Sequence, residues 1–189
     1  MNKFLLIILA ITLIFAEVAF AVTKNKQGDI MSDKKILVAY FSWSGNTQFI
    51  AEKINKQVGG DMFRIETTTP YPEDYNEAAY GVAKKQHEEG TKPELKDNGD
   101  VSSYDIIFIG TPAWWYEMAP AVKTFLSENN FEGKTIVPFI THGGGGKYTI
   151  AEDMGKLAVG SEVLKPLVVY ERGYDNIDQE IETWLKEIK

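Results

Sequence analysis

Ile36-Leu-Val-Ala-Tyr-Phe-Ser-Trp-Ser-Gly-Asn-Thr47 is the stretch on which the fold turns. Ile36 to Phe41 is an unbroken apolar run, as in a strand buried on both faces. It gives way at once to Ser42, Ser44, Gly45, Asn46 and Thr47. Behind them Ile50, Ile54 and Val58 recur at four-residue steps, with Ala51 beside them, which predicts an amphipathic helix over about Thr47–Val58. The order is therefore strand, short polar loop, helix. Such a loop suits an anion, because unpaired N–H groups at a helix N-terminus and the helix dipole both favour negative charge. No Lys or Arg lies between Ile36 and Glu52, so an anion held here would rest on neutral donors alone.

Outward from this unit the pattern keeps alternating. Gly59-Gly60 ends the first helix. Met62, Phe63 and Ile65 form a weaker strand with charges interleaved, as at a sheet edge. Pro70 and Pro72 mark a turn, and Glu73 to Glu89 reads as one polar helix. Ile106 to Ile109 is a second fully apolar strand, followed by a loop from Gly110 to Tyr116. Pro120 suits the first turn of a helix whose core face is Val122, Phe125 and Leu126. Thr135 to Thr141 is a strand with Pro138 an awkward guest. The loop His142-Gly-Gly-Gly-Gly146, a helix through Ile150, Met154 and Leu157, a strand from Leu164 to Tyr170 and a closing helix through Ile177, Ile181 and Trp184 complete the chain. Five strands alternating with five helices predict an α/β three-layer sandwich, a parallel sheet with helices on both faces. Ligands of such folds bind beyond the C-terminal strand ends where strand order reverses. The loops after strands one, three and four are the three that depart from routine connections.

Composition narrows the chemistry. The chain has 189 residues, 44% of them apolar, enough for one domain with a full core. A net charge of -7 argues against nucleic acid as a partner. With no cysteine, thiolate metal sites, iron–sulfur clusters and Cys nucleophiles are excluded. Two histidines, His87 and His142, are too few for a His-rich metal centre.

The first residues read separately. Lys3, the apolar run Phe4 to Ala16 and the small-x-small pattern Ala19-Phe20-Ala21 resemble a secretory signal peptide over 1–21, with cleavage after Ala21. The apolar run is shorter than the ~20 residues that span a bilayer comfortably. An uncleaved anchor and translation from Met31 are the alternatives. Residues 22–35 read as a polar tether and 36–189 as the folded domain. The expected location is outside the cytoplasm, periplasmic or extracellular, with any membrane contact only through the first segment. A start at Met31 would instead leave a cytoplasmic protein.

Phe41-Ser-Trp-Ser-Gly-Asn-Thr47, Thr111-Pro-Ala-Trp-Trp115 and Thr141-His-Gly-Gly-Gly145 occur in the order and spacing of three ligand loops. With them the chain from about Ile36 to Lys189 resembles the flavodoxin family, in particular its branch with a Ser-Trp-Ser-Gly-Asn-Thr phosphate loop. The resemblance implies the flavodoxin-like strand order 2-1-3-4-5 and FMN as the cofactor. It places Ser42, Ser44, Asn46 and Thr47 as phosphate donors, with Gly45 letting the backbone approach. Trp43 is either cover or ligand wall. Thr111, Pro112, Ala113, Trp114 and Trp115 would line the flavin ring, one Trp serving instead to cover the sheet end. His142, Gly143, Gly144 and Gly145 would lie along its pyrimidine edge. The third loop has no aromatic before Tyr148, so the outer ring face is either open or covered by Tyr148 or Tyr170.

The resemblance implies electron transfer through a non-covalently bound flavin, with a redox partner protein or a small quinone-like oxidant. Glu117 and Asp153 are expected near the ring, where acidic charge would lower the flavin potential. Two rivals stand beside this reading. One is an FMN-dependent NAD(P)H:quinone-type reductase, suggested by the missing outer aromatic. The other is a flavin-free binding module on the same fold. The run Gly143-Gly-Gly-Gly-Lys-Tyr148 is no nucleotide loop, because Tyr148 stands where a Ser or Thr would bind magnesium. No Gly-x-Ser-x-Gly elbow supports hydrolase chemistry.

Overall fold

The computed structural model describes residues 33–171 and 173–188. The expected signal segment and all but the end of the tether lie outside these residues. Residues 34–188 form one compact unit.

The apolar run becomes strand β1, Ile36–Tyr40, with every residue buried. Helix α1, Asn46–Val58, follows it and buries Thr47, Ile50, Ala51 and Ile54. The edge strand β2, Asp61–Arg64, is mostly exposed, as its interleaved charges require. The predicted helix from Glu73 begins later and splits into a π-helical segment, Glu77–Ala83, and the α-helix α2, Lys84–Glu89. Strand β3, Ile106–Trp114, runs five residues beyond the predicted apolar core of that strand. A two-residue strand β4, Glu117–Met118, turns back against it, and α3, Pro120–Glu128, starts on the proline. Then come β5, Thr135–His142; α4, Ile150–Leu157; β6, Glu162–Val163; β7, Leu167–Tyr170; and α5, Ile177–Glu187.

The parallel sheet runs β2-β1-β3-β5, and β6 and β7 share the position beyond β5. This is the expected order with the fifth strand broken in two, and Pro138 supplies the physical reason. Leu164 N–H still donates to Ile136 O at 2.9 Å. In a parallel ladder the next bond would come from residue 138, whose N–H proline lacks. Pro166 removes a donor from the other strand, and pairing resumes at Phe139↔Leu167. Proline is tolerated in a central strand here because its neighbour is interrupted opposite it.

Alternate residues of the central strands point to opposite faces. Leu37, Ala39, Ile107 and Ile109 pack with Val122 and Phe125 of α3 and Met154 of α4. On the other face Phe108 meets Trp184 of α5 edge-on, with ring centroids 5.8 Å apart. Helices thus cover both faces and leave the C-terminal strand ends open for the loops. β1, β3 and β5 are consecutive neighbours in the sheet, so the three unusual loops emerge side by side.

Candidate functional site

The first loop is shaped by a left-handed glycine. Gly45 has φ 93°, and a Cβ there would meet nothing within 4 Å. Backbone conformation, and not space, therefore calls for glycine. Gly45 N–H donates to Ser42 Oγ at 3.2 Å, and Gly45 O accepts from Phe49 N–H at 2.9 Å. No side chain caps α1, and its first turn holds no acid. The N–H groups of Ser42, Trp43, Ser44, Asn46, Thr47 and Gln48 have no acceptor among the described residues. That is a concentrated set of free donors at the positive end of a helix dipole.

The four side chains expected as phosphate donors divide. Thr47 Oγ1 is buried and shares a 2.8 Å hydrogen bond with Thr141 Oγ1, tying the first loop to the third. Ser42 is buried, and its oxygen is taken by Gly45. Ser44 and Asn46 have no side-chain partner among the described residues, so they keep their full capacity. Trp43 donates from Nε1 to Pro72 O at 2.9 Å, which makes it a brace between the first loop and the segment after β2.

The expectation of neutral donors alone needs correction. Arg64, at the end of β2, donates from Nη2 to Ser42 O at 3.3 Å and from Nη1 to Gln48 Oε1 at 3.0 Å. A guanidinium therefore stands behind the loop although no basic residue lies within it in sequence.

The second predicted loop is largely strand. β3 pairs with β5 as far as Pro112↔Thr141, then forms a hairpin with β4 through Ala113↔Met118 and Trp114↔Glu117. Trp115 and Tyr116 are the two turn residues, with φ 49° and 71°. Positive φ at both positions is the type I′ signature, which normally selects Asn and Gly. Thr111 is buried, and its hydroxyl is spent inside the hairpin, accepting from Ala119 N–H and donating to Pro112 O, both at 2.9 Å. Trp114 is the covering tryptophan. It meets Phe41 and Tyr71 edge-on at 5.4 and 5.0 Å and packs on the core. Trp115 donates from Nε1 to Ala79 O at 2.8 Å and meets Tyr80 edge-on. The exposed aromatic of this hairpin is Tyr116.

In the third loop His142 acts as the organiser. Its Nδ1 accepts N–H bonds from Gly144 and Gly146, each at 3.1 Å. That nitrogen must carry no proton, which places any neutral-ring hydrogen on Nε2. Burial pushes the His142 pKa down, against the opposing pull of Glu171. Tyr148, at φ 47°, folds back over Gly145 so closely that a Cβ there would collide with its hydroxyl. Its ring also meets Tyr116 edge-on, with centroids 5.1 Å apart. Tyr170 lies by His142 instead, at 5.7 Å. Among the described residues the three non-glycine residues with positive φ, Trp115, Tyr116 and Tyr148, thus all belong to these two loops. Such strain gathers where surrounding structure imposes it.

Neither acid expected near the ring is an isolated charge. Partial burial pushes Glu117 up, but Lys123 and His87 outweigh it and hold the carboxyl below the usual range. His87 Nδ1 lies 2.9 Å from Glu117 Oε2, and Lys123 contacts the same oxygen. Asp153 is likewise held down by Lys156 and Thr149 against burial. Tyr116, Arg64 and the His87–Glu117–Lys123 cluster were missed from sequence. An alternating pattern through Trp114 and Met118 around a two-residue turn could have revealed the hairpin.

Similarity to known proteins agrees with this arrangement. The chain is 30% identical to a protein assigned as a flavoprotein from Bacteroides eggerthii, over 82% of this chain and 98% of that one, with a TM-score of 0.68. It is 26% identical to a flavoprotein from Lactobacillus acidophilus solved in complex with FMN, over 80% and 98% of the two chains, with a TM-score of 0.60. The family model described as flavodoxin matches residues 35–188. The open strand order, the three adjacent loops and this match over nearly the whole described unit lead to one assignment: the chain belongs to the flavodoxin family.

Proposed function

We propose that the chain binds FMN non-covalently and transfers electrons through it. The observation that carries this reading is the set of six N–H groups without acceptors between Ser42 and Gln48, at an acid-free helix start. A phosphate dianion fits that donor set, with Ser44, Asn46 and the Arg64 charge in support. The FMN in the Lactobacillus acidophilus flavoprotein adds to it. Bound FMN supplies one- or two-electron redox chemistry. The residues of this chain do the rest: the first loop holds phosphate, the Thr47–Thr141 bond keeps first and third loops in register, and the hairpin aromatics exclude water. The Gly143–Gly145 main chain, exposed to solvent, offers polar groups to a ring edge.

Titrating FMN into residues 22–189 tests the reading. The expected result is quenching of flavin fluorescence at one FMN per chain, and absence of binding overturns it. The redox counterpart is a partner protein or a small quinone-like oxidant. Tyr148, folded onto the third loop, is the aromatic this reading assigns to the outer ring face, which favours a carrier over a reductase. Steady NAD(P)H oxidation without a partner protein would restore that alternative. We further propose that the phosphate loop marks the Ser-Trp-Ser-Gly-Asn-Thr branch of the family and that residues 1–21 direct export. Export predicts a mature N-terminus at Val22, read by mass spectrometry of the secreted protein.

A further inference from the structure

A cavity of about 400 Å³ lies beside the first loop, on the side of β2. Its lining includes Phe41–Ser44 but nothing from the second or third loop. It shares Ser42–Ser44 and Arg64 with the first-loop end of the FMN cradle and extends from there along β2, beyond the FMN reading. Its size is within the ~300–1,000 Å³ usual for small-ligand sites.

The walls and the mouth differ in chemistry. Phe41 and Tyr71 stand edge-on, 5.5 Å apart, and Trp43, Ile65 and Pro70 complete the wall. The side-chain polar atoms of Tyr71, Trp43 and Thr67 are already occupied, while among the described residues the Ser44 hydroxyl and the Ser42–Ser44 N–H groups stay free at the first-loop end. Tyr71 O–H donates to Gln86 Oε1 at 2.7 Å, Trp43 Nε1–H to Pro72 O, and Thr67 O–H to Thr69 O at 2.7 Å. The interior therefore offers ring faces and edges, a surface that suits a flat aromatic ring.

Two cations stand at the mouth. Arg64 Nε and Lys96 Nζ both approach one oxygen, Glu66 Oε1, at 4.0 and 3.7 Å. Neither distance is a hydrogen bond. Arg64, Glu66 and Lys96 as a trio carry one net positive charge, which Glu73 in the same lining balances. Lys96 retains its donors, and Arg64 retains those not used on Ser42 and Gln48. Glu73, also in the lining, has no ion-pair partner among the described residues.

From this juxtaposition we infer that the cavity is a second ligand site, for a planar aromatic carboxylate. The ring lies against Trp43 and the Phe41–Tyr71 pair, and the carboxylate meets Lys96 and Arg64. Small-molecule redox partners and regulators of this chemistry would dock next to the flavin phosphate without displacing the flavin.

The test uses the FMN-loaded protein with a naphthoate and its uncharged amide as probes, read by calorimetry and tryptophan fluorescence. One naphthoate should bind per chain with FMN retained. The amide should bind at least tenfold more weakly, and added salt should weaken only the acid. Lys96→Gln should cost the acid about tenfold, in line with loss of a partly exposed charge-assisted contact. Glu73→Gln should tighten it two- to threefold by removing a facing carboxylate. Lys96 and Glu73 have no place in the FMN cradle, so FMN affinity in both variants serves as the folding control. Equal binding of acid and amide, no effect of Lys96→Gln, or displacement of FMN by naphthoate would each overturn the inference. Failure of FMN itself to bind would sink the functional reading alone, because naphthoate binding to the flavin-free chain would still support this site.

Discussion

Thr47 and Thr141 share a buried 2.8 Å hydrogen bond between hydroxyls 94 positions apart in the chain. Among the described residues it is the one side-chain bond that joins the first loop directly to the third strand-end loop, the glycine loop. Thr141→Val leaves the Thr47 hydroxyl buried and unpaired, which should cost about 1–3 kcal/mol. The double variant Thr47→Val/Thr141→Val should cost less than the sum of the two single changes, since it leaves no orphan. Urea denaturation of all four proteins reads this coupling, and additive losses would refute it.

Tyr116 pays a conformational cost in its turn. At φ 71°, in a type I′ hairpin, Tyr116→Gly should raise stability by about 0.5–1 kcal/mol, the relief of strain exceeding the added unfolded-state entropy. The urea midpoint should rise with the slope unchanged. If the exposed Tyr116 ring walls the flavin, FMN affinity should fall in the same variant, separating stability from binding.

His142 makes the glycine loop sensitive to acid. The folded loop needs Nδ1 unprotonated, so the folded pKa lies below the unfolded value. The contribution of this histidine is complete above the unfolded imidazole value, ~6.5, and is lost as pH falls from there through the lowered folded value. FMN affinity should therefore weaken as pH falls through that lowered folded value. The phosphate of FMN titrates near the same range, ~6, so the comparison with His142→Gln isolates the histidine. The variant should show a flatter profile, and identical profiles would exclude the loop from the effect.

Gly45→Ala separates conformation from space in the first loop. Nothing obstructs the added methyl, so the whole penalty is that of holding alanine at φ 93°. About 1–2 kcal/mol of stability should be lost. FMN affinity should fall more than tenfold as the free N–H groups are re-aimed. A variant with unchanged affinity would show that the donors are not held by Gly45.

Arg64→Gln tests the guanidinium behind the loop. FMN affinity should drop a fewfold and become less salt-dependent, while riboflavin, which lacks the phosphate, should bind as before. Equal effects on both ligands would place Arg64 in loop structure and not in charge.

The chain's own order of residues determined the alternation of strands and helices, because buried parallel strands need continuous apolar runs and their helices need a 3.6-residue stripe. It also determined the polar, lysine-free first loop and the glycine-rich third loop. Boundaries followed less closely at Glu73–Glu89, where a π-helical segment interrupts the helix, and at Leu164–Tyr170, where two prolines on neighbouring strands break the ladder. Only the tertiary structure decided which site groups remain free. Thr47 and Thr111, promising in sequence, are consumed by Thr141 and by Ala119, while Arg64 arrives from β2. Trp114 turns to the core and leaves Tyr116 as the exposed ring of its hairpin. The reason is physical: one-dimensional patterns record which face of an element is apolar, but hydrogen-bond and ion-pair partners are set by approach distances between elements remote in the chain.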